Sequence, residues 1–364
     1  MILERLSLVQ GKRIHPKRTL VIFDEIQECP NALGSLKYFN EEANEYHVIA
    51  AGSLLGAYLA KPMSYPVGGV NLQGVYPLSF EEYLAAADAG MYAYFCGVRS
   101  GKDYVSAFHS TMMEHYKKYL IIGGMPECVQ SWVNNADPEE ITAIQKEITS
   151  LYENDFTKHN DKVNGGKILQ VFRSIVPQLA KENNEKFMYA AIAKSARAKD
   201  FEDAIEWLVS SGVVYRILNV SKPEYPLKAY EVQNYFKLFL LDAGLIKHLA
   251  GLTNKSILLS DGFQFKGQLT ENFVLEQLIP ILDNSPNFYV FAQNREIDFI
   301  LQRGETVIPL EVKAGKDKTA VSFKSYIEKH KPEISVRFNA NEYLKNGAIT
   351  NIPLYFVGKM FELV

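Results

Sequence analysis

The chain has 364 residues, of which 47% are hydrophobic and 22% are charged, and its formal net charge is -3. A chain of this length holds about two or three domains and can bury a sizeable core. The charge balance argues against a protein that binds nucleic acid through bulk positive charge, although a local basic groove is compatible with it.

The sequence also bears on where the protein resides. Its apolar runs fall short of the ~20 residues that a membrane helix needs, and its basic N-terminus lacks the apolar core of a secretory signal. The three cysteines are scattered without metal-binding spacing, so reduced thiols are the simplest account. We therefore expect a cytoplasmic protein without membrane contact.

The first pattern in the chain is an apolar, β-branched run from Thr19 to Phe23 that ends in Asp24 and Glu25. It predicts a buried parallel strand with two carboxylates at its carboxyl end. In nucleotide-dependent enzymes of the P-loop class, such a strand is the Walker B element. Its Asp binds Mg²⁺ and its Glu polarises the attacking water. The alternative is a strand that ends in a solvated turn, and the pattern alone does not separate the two.

A helix is predicted over 32–39, where apolar residues recur at helical spacing, and a second buried strand follows over 46–51. That strand leads into Ser53, which would lie beside the carboxylates of the first strand if the two strands pair in parallel. Ser53 would then contact a γ-phosphate. The alternative, which the motif alone favours, is a helix N-cap.

The next part of the chain is predicted to be helical. Ser79 and Glu82 have the spacing of a capping box that opens a helix. From about Met91 to Asn160 the apolar positions again recur at helical spacing. Asp155 and His159 stand four residues apart, which is a metal-capable spacing, but a solvated pair is the favoured interpretation.

The segment 187–220 predicts a winged helix-turn-helix. Helices are expected over 187–193 and 201–209, Gly212 ends the second helix, and 213–220 forms the wing strand. The second helix carries several acidic side chains, which the phosphates of DNA would repel. We therefore favour a structural or protein-contacting winged helix over a DNA reader.

The C-terminal part contains the largest set of candidate catalytic and metal-binding residues. Strand segments are predicted at 296–301 and 307–313, and the side-chain period of two places Glu311 and Lys313 on the same face of the second one. If the two strands form a hairpin, Asp298 meets Glu311 near the end of the pair. Two carboxylates and a lysine then converge on one point.

This convergence suits phosphodiester hydrolysis. Asp298 and Glu311 would hold Mg²⁺, which lowers the pKa of a bound water, and Lys313 would orient that water or stabilise the developing charge. Glu271, at the head of a predicted helix, could add a further ligand. The alternative is an exposed strand face with alternating charges. A fold of this kind can also bind nucleic acid without cutting it.

Several motifs, taken together and in order, are similar to those of a large family of bacterial and archaeal AAA-type ATPases that carries a C-terminal domain of unknown function. The matching segments are residues 20–27, 51–55, 66–68, 76–83, 123–127 and 237–245. The arrangement Asp-x12-Glu-x-Lys at Asp298, Glu311 and Lys313, with Glu271 before it, resembles the PD-(D/E)XK restriction-endonuclease-like core. The C-terminal domain of that family resembles this core too.

The resemblance implies an α/β architecture in four parts. A partial P-loop sheet layer is expected over 1–95, a helical lid or spacer over 96–160, a winged-helix-like part over 161–250 and a nuclease-like α/β domain over 251–364. ATP and Mg²⁺ are the implied cofactors. The implied partners are nucleic acid and either another protein or further copies of the chain.

For the nucleotide site the resemblance implies that Glu25 is catalytic and that Asp24 and Ser53 bind the cofactor, with Asp24 as a Mg²⁺ ligand. Two departures put this in doubt. No Gly-x-x-x-x-Gly-Lys-Ser/Thr loop precedes Asp24, so the chain looks like a truncated member or one that has lost the site. Gly69 also stands where the family is expected to have a Lys. A non-catalytic regulatory or protein-interaction module is therefore the alternative function.

The nucleotide prediction is testable by binding. The chain will bind ATP weakly or not at all, because no backbone loop cradles the phosphates and no P-loop Lys pairs with them. Titration calorimetry with Mg-ATP measures this directly. Micromolar affinity that disappears in Asp24→Ala would show that the carboxylates work without such a loop.

Overall fold

The chain divides into two units, one formed by residues 1–75 with 206–213 and the other by residues 76–205 with 214–364. A computed structural model describes residues 2–52, 68–158, 164–181, 186–194, 196–259, 265–291, 295–315 and 321–364. Both units combine helices and strands, which confirms the predicted α/β class.

The first unit contains a two-stranded parallel sheet. Strand β1 (Leu20–Phe23) pairs with β2 (His47–Ala50), and helix α2 (Pro30–Glu42) connects them after a shorter helix α1 (Ile2–Gln10). Apolar side chains of α2 pack with those of both strands in one cluster. The predicted helix and the parallel pairing of the two strands are confirmed.

The prediction that these strands are buried is wrong. Leu20 is 50% exposed, Ile22 is 62% exposed and Ile49 is 52% exposed, whereas Val21 is buried. Side chains alternate between the two faces of a strand, so packing of α2 against one face leaves the other uncovered. An apolar run alone does not reveal how many layers cover a sheet.

The second unit begins with helices. The capping box is confirmed, because Ser79 Oγ accepts a hydrogen bond from Glu82 N (3.2 Å) and Ser79 N donates to Glu82 Oε2 (2.7 Å). The predicted helical character of this region is also confirmed. The helices are α3 (Phe80–Ala87), α4 (Ala89–Gly97), α5 (His109–Ile122), α6 (Pro126–Asn135), α7 (Pro138–Lys158) and α8 (Gly165–Leu179).

An eight-stranded mixed sheet is the centre of the second unit. Its order is β4-β3-β5-β6-β7-β8-β10-β9. The strands are β3 (Val214–Val220), β4 (Glu231–Leu240), β5 (Asn287–Phe291), β6 (Arg295–Arg303), β7 (Thr306–Val312), β8 (Ser335–Asn339), β9 (Leu344–Asn346) and β10 (Ile349–Pro353). The later helices are α9 (Ala198–Ser210), of which residues 198–205 lie in this unit, α10 (Ala243–Leu249), α11 (Asn254–Leu259), α12 (Lys266–Leu278), α13 (Val321–His330) and α14 (Met360–Leu363).

The helix predicted over 187–193 is wrong, because only a single 3-10 turn forms there, at Tyr189–Ala191. Phe187 N donates to Phe236 O (2.8 Å), and the two rings stack at 5.4 Å, so this segment lies extended beside β4. The predicted second helix and wing strand exist as α9 and β3. Since β3 also pairs with β5, the wing belongs to the large sheet, and a separate winged helix stays a prediction.

A fully buried carboxylate joins the helices to the sheet. Asp242 caps α10, with Oδ1 accepting from Leu245 N (2.8 Å), and its Oδ2 accepts from Gly124 N (2.6 Å) just after α5. Gly123 ends α5 with φ +73°, and a Cβ there would lie 2.4 Å from Asp242 Oδ1. Gly123 is therefore needed for the close approach of this backbone to the carboxylate.

Helix α12 is fixed by the same network. Glu276 Oε1 accepts from Tyr119 OH (2.6 Å) and its Oε2 accepts from Ala243 N (2.8 Å). Gln277 Oε1 accepts from Phe80 N (2.7 Å), which ties α12 to the start of α3. All three bonds are buried, so the position of α12 against its neighbours is closely determined.

Substitution of Gly124 tests this network. A Cβ at Gly124 would lie 2.2 Å from Leu78 O, a backbone atom that cannot move aside cheaply. Gly124→Ala will lower the free energy of unfolding by about 2–3 kcal/mol. Gly267→Ala, where nothing lies within 4 Å of the added Cβ, is the control and will be neutral or slightly stabilising. Equal midpoints for both variants in urea denaturation would contradict the argument.

Candidate functional site

The β6–β7 hairpin brings together the two carboxylates that the sequence predicted to meet. Phe299 pairs with Leu310, so one step further along the antiparallel register Asp298 stands opposite Glu311. Asp298 Oδ2 accepts a hydrogen bond from Val312 N (2.7 Å). Both carboxylates are buried, and the hairpin geometry therefore agrees with the prediction.

Strand β6 carries one extra residue at this point. Asn287 pairs with Ile300 and Tyr289 pairs with Ile297, so two steps along β5 match three steps along β6. The extra residue falls in the stretch that contains Asp298, which makes a β-bulge. Bulges redirect side chains and are common beside functional sites.

Lys313 joins the carboxylates from the end of β7. Its Nζ lies 2.6 Å from Glu311 Oε1, which is the same-face contact that the strand period predicted. Lys313 N donates to Phe338 O (2.8 Å), so β8 holds the backbone at this position. The Lys313 side chain is 33% exposed, and the ammonium group can therefore reach a molecule in solvent.

A second lysine–carboxylate pair lies in the same cluster. Lys237 of β4 forms a buried ion pair with Glu296 of β6, and its Nζ lies 5.0 Å from the centroid of the Phe288 ring. The sequence analysis missed this pair. The available signal was that Glu296 precedes Asp298 by two residues and so shares its face of the strand.

Glu271 approaches the cluster from α12. It is the sixth residue of that helix rather than its head, so the predicted position is wrong by a full turn. Its charge interacts with those of Asp298 and Lys237. Among the residues described, no group of three or more His, Cys, Asp or Glu side chains is arranged to hold a metal. A role for Glu271 as a metal ligand stays a prediction.

Burial raises the free energy needed to ionise the carboxylates of the cluster. Burial, with the charge of Asp298 adding to it, raises the pKa of Glu311 to about 8 and that of Glu271 to about 8. Burial also raises the pKa of Glu296 to about 7, against the opposing effect of Lys237. The pKa of Asp298 is raised for the same reason. A cation placed among these groups would favour their ionised forms.

Two carboxylates of the cluster fit a divalent cation. Within the described residues, Glu311 Oε2 and Glu296 Oε2 are both buried, and neither of them accepts a hydrogen bond. Mg²⁺ is commonly held by one or two carboxylates, with waters and substrate phosphates completing its octahedron. Asp298 and Glu311 can supply that pair.

A recess of about 440 Å³, which includes solvent-open space, reaches the cluster. Its walls combine apolar groups with amides and charges, and two cluster residues form part of them. The lining residues are Ile175, Gln178, Leu179, Lys181, Phe187, Lys237, Leu238, Gln268 and Glu271. Water and small ions can therefore approach Lys237 and Glu271 from outside.

The predicted nucleotide residues lie in the first unit. Asp24 and Glu25 are exposed and follow the end of β1, where Ile26 N donates to Ala51 O (3.0 Å). Glu25 has the left-handed φ of +47°, and its Oε2 accepts a hydrogen bond from the side-chain amide of Gln27. Ser53 lies outside the described residues. His159, the proposed companion of Asp155, does too.

Three family models match this chain. An AAA domain matches residues 3–84, a domain of unknown function (DUF8612) matches residues 113–256, and a second one (DUF4143) matches residues 266–357. No curated protein and no solved structure matches. The N-terminal part is thus similar to an AAA domain, and the two domains of unknown function follow it.

The matches bear on the site in one further respect. The DUF4143 range spans Glu271, Asp298, Glu311 and Lys313, while Lys237 falls in the DUF8612 range. The cluster therefore contains residues from both domains of unknown function.

Every helix in the described part of the chain is too short or too polar to span a membrane.

The raised pKa of Glu311 predicts a pH-dependent stability. Its folded-state pKa of about 8 exceeds the usual 4.5, so its contribution is complete below pH 4.5 and is lost as the pH rises towards 8. Between about pH 5 and about pH 8.5 the metal-free protein will lose about 2–4 kcal/mol of unfolding free energy through this group.

Urea denaturation in EDTA at the two pH values measures this loss. Glu311→Gln removes one of the titrating groups and will make the decline smaller, while Glu271 and Glu296 still contribute to it. Glu305→Gln, on the exposed turn of the same hairpin, will leave it unchanged. Parallel declines in the wild type and Glu311→Gln would contradict the assignment.

Proposed function

We propose that this chain is an AAA-type ATPase-family protein whose C-terminal cluster is a divalent-cation-dependent site that cleaves the phosphodiester bonds of nucleic acid. The observation that carries the proposal is the meeting of Asp298 with Glu311 across the hairpin, with Lys313 Nζ 2.6 Å from Glu311 Oε1. Paired carboxylates beside a lysine are the groups that this hydrolysis uses.

Asp298 and Glu311 would hold the cation. Each of them uses one oxygen inside the protein, Asp298 Oδ2 with Val312 N and Glu311 Oε1 with Lys313 Nζ. The other oxygens, Asp298 Oδ1 and Glu311 Oε2, would then be its ligands. A bound divalent cation lowers the pKa of a water and neutralises charge on the scissile phosphate.

Lys313 would act on the water or on the phosphate. An ammonium group only donates hydrogen bonds, so it can orient a water through its oxygen or stabilise negative charge that develops on the phosphate. Its partial exposure allows it to do so while it remains paired with Glu311. Glu271 would add a polar contact from α12.

A non-catalytic module that binds nucleic acid or a protein is the second candidate function. The observation that favours it is the absence of any three-ligand metal group among the described residues. A two-carboxylate site depends on substrate phosphates to complete the coordination of the cation. Binding without cleavage is the result that would select this candidate.

Cleavage assays test the first candidate. The purified protein will cut single- or double-stranded DNA or RNA in the presence of Mg²⁺ or Mn²⁺, and EDTA will stop the reaction. Asp298→Asn keeps the shape of the side chain but removes its charge, and it will lower the rate about 100-fold or more. Lys313→Met will also lower the rate.

Glu305→Gln is the matched control, because it changes an exposed carboxylate on the same hairpin and will leave the rate unchanged. Equal cleavage by Asp298→Asn would assign the activity to a contaminant or to another site. If the wild type cuts no substrate with either cation, the catalytic proposal fails.

A further inference from the structure

The cluster combines a deep lysine and a shallow one. Lys237 is 8% exposed and its partner Glu296 is 3% exposed, whereas Lys313 is 33% exposed. Four carboxylates, two lysines and one arginine form the cluster: Glu271, Glu296, Asp298, Glu311, Lys237, Lys313 and Arg337, which stands opposite Glu311 on β8. With all of them ionised, its formal charge is -1, so one divalent cation already more than balances it.

Lys237 is held firmly in the cluster. Its Nζ pairs with Glu296 Oε1 and lies 5.0 Å from the centroid of the Phe288 ring. The backbone of β4 is fixed by its pairing with β3, in which Lys237 stands opposite Ile217. Its ion pair with Glu296 and its exposure of 8% keep this ammonium group within the cluster.

We infer that Lys237 is a built-in counter-ion that limits this site to a single divalent cation. The inference rests on the proposed cation site at Asp298 and Glu311. Lys237 acts as a positioning residue: its ammonium balances Glu296 and lies near the charges of Glu271 and Asp298. A second divalent cation between Glu296 and Glu271 would meet a fixed positive charge.

Restricted entry of ions from solvent does not explain a limit of one bound cation. The recess that reaches the cluster is lined by both Lys237 and Glu271, so an ion from solvent can approach the place where a second cation would bind. Glu296 Oε2, which has no hydrogen-bond partner among the described residues, offers a free ligand there. The charge of Lys237 is thus the feature that excludes a second cation.

Counting bound Mn²⁺ by electron paramagnetic resonance tests the inference without an activity readout. The wild-type full chain will bind one equivalent. Lys237→Gln keeps a side-chain donor for Glu296 but removes the charge, and it will bind a second equivalent. Lys237→Met will do the same. The double variant Lys237→Gln/Glu296→Gln restores the charge balance and will return to one equivalent. Lys228→Met, an exposed lysine on the sheet-connecting segment, is the control and will bind one.

The outcomes separate the two proposals. Two equivalents in the wild type would overturn the role of Lys237 and leave the cation site standing. A single equivalent in Lys237→Gln, with affinity equal to that of the wild type, would overturn it as well. No bound Mn²⁺ in any variant would remove the proposed cation site and this inference with it.

Discussion

The bond between Asp242 and Gly124 is the interaction on which much of the second unit depends. It joins the end of α5 to the start of α10, and Glu276 extends the network to α12. A buried carboxylate is tolerated here because backbone N–H groups satisfy its oxygens, although burial still raises the pKa of Asp242 to about 6. Gly123 permits this approach, since a Cβ there would collide with the carboxylate, and Gly124 permits the close contact with the backbone of Leu78.

That network has a consequence for the candidate site. Helix α12 carries Glu276 into the network and Glu271 towards the carboxylates of the hairpin, so one helix serves both. The side chains of the cluster are largely buried, so their positive and negative charges must offset one another. Lys237 offsets Glu296, Lys313 offsets Glu311, and Arg337 of β8 also stands opposite Glu311. A site of this kind is stable only while its positive and negative groups remain matched.

Much of the site could be predicted because strand periodicity is a local property. Glu311 and Lys313 share a face, and Asp298 meets Glu311 as soon as β6 and β7 form a hairpin. Lys237 could not be found in this way, since 59 residues separate it from Glu296. The bulge at Asp298 was hidden as well, because it depends on how β5 pairs with β6. The failed helix at 187–193 has the same cause, as Phe187 instead stacks on Phe236 of a distant strand.

The sequence by itself determined the α/β class, the capping box at Ser79, the helical region, the two strands of the C-terminal hairpin and the resemblance to AAA-type ATPases. These follow from short-range spacing and from motifs, which the chain carries before it folds. Tertiary structure alone decided that one face of β1 is exposed, that β3 joins the large sheet and that Lys237 enters the carboxylate cluster. Each of these depends on which distant segments pack together. The free energy of such contacts involves residues far apart in the chain, so local sequence patterns do not predict it.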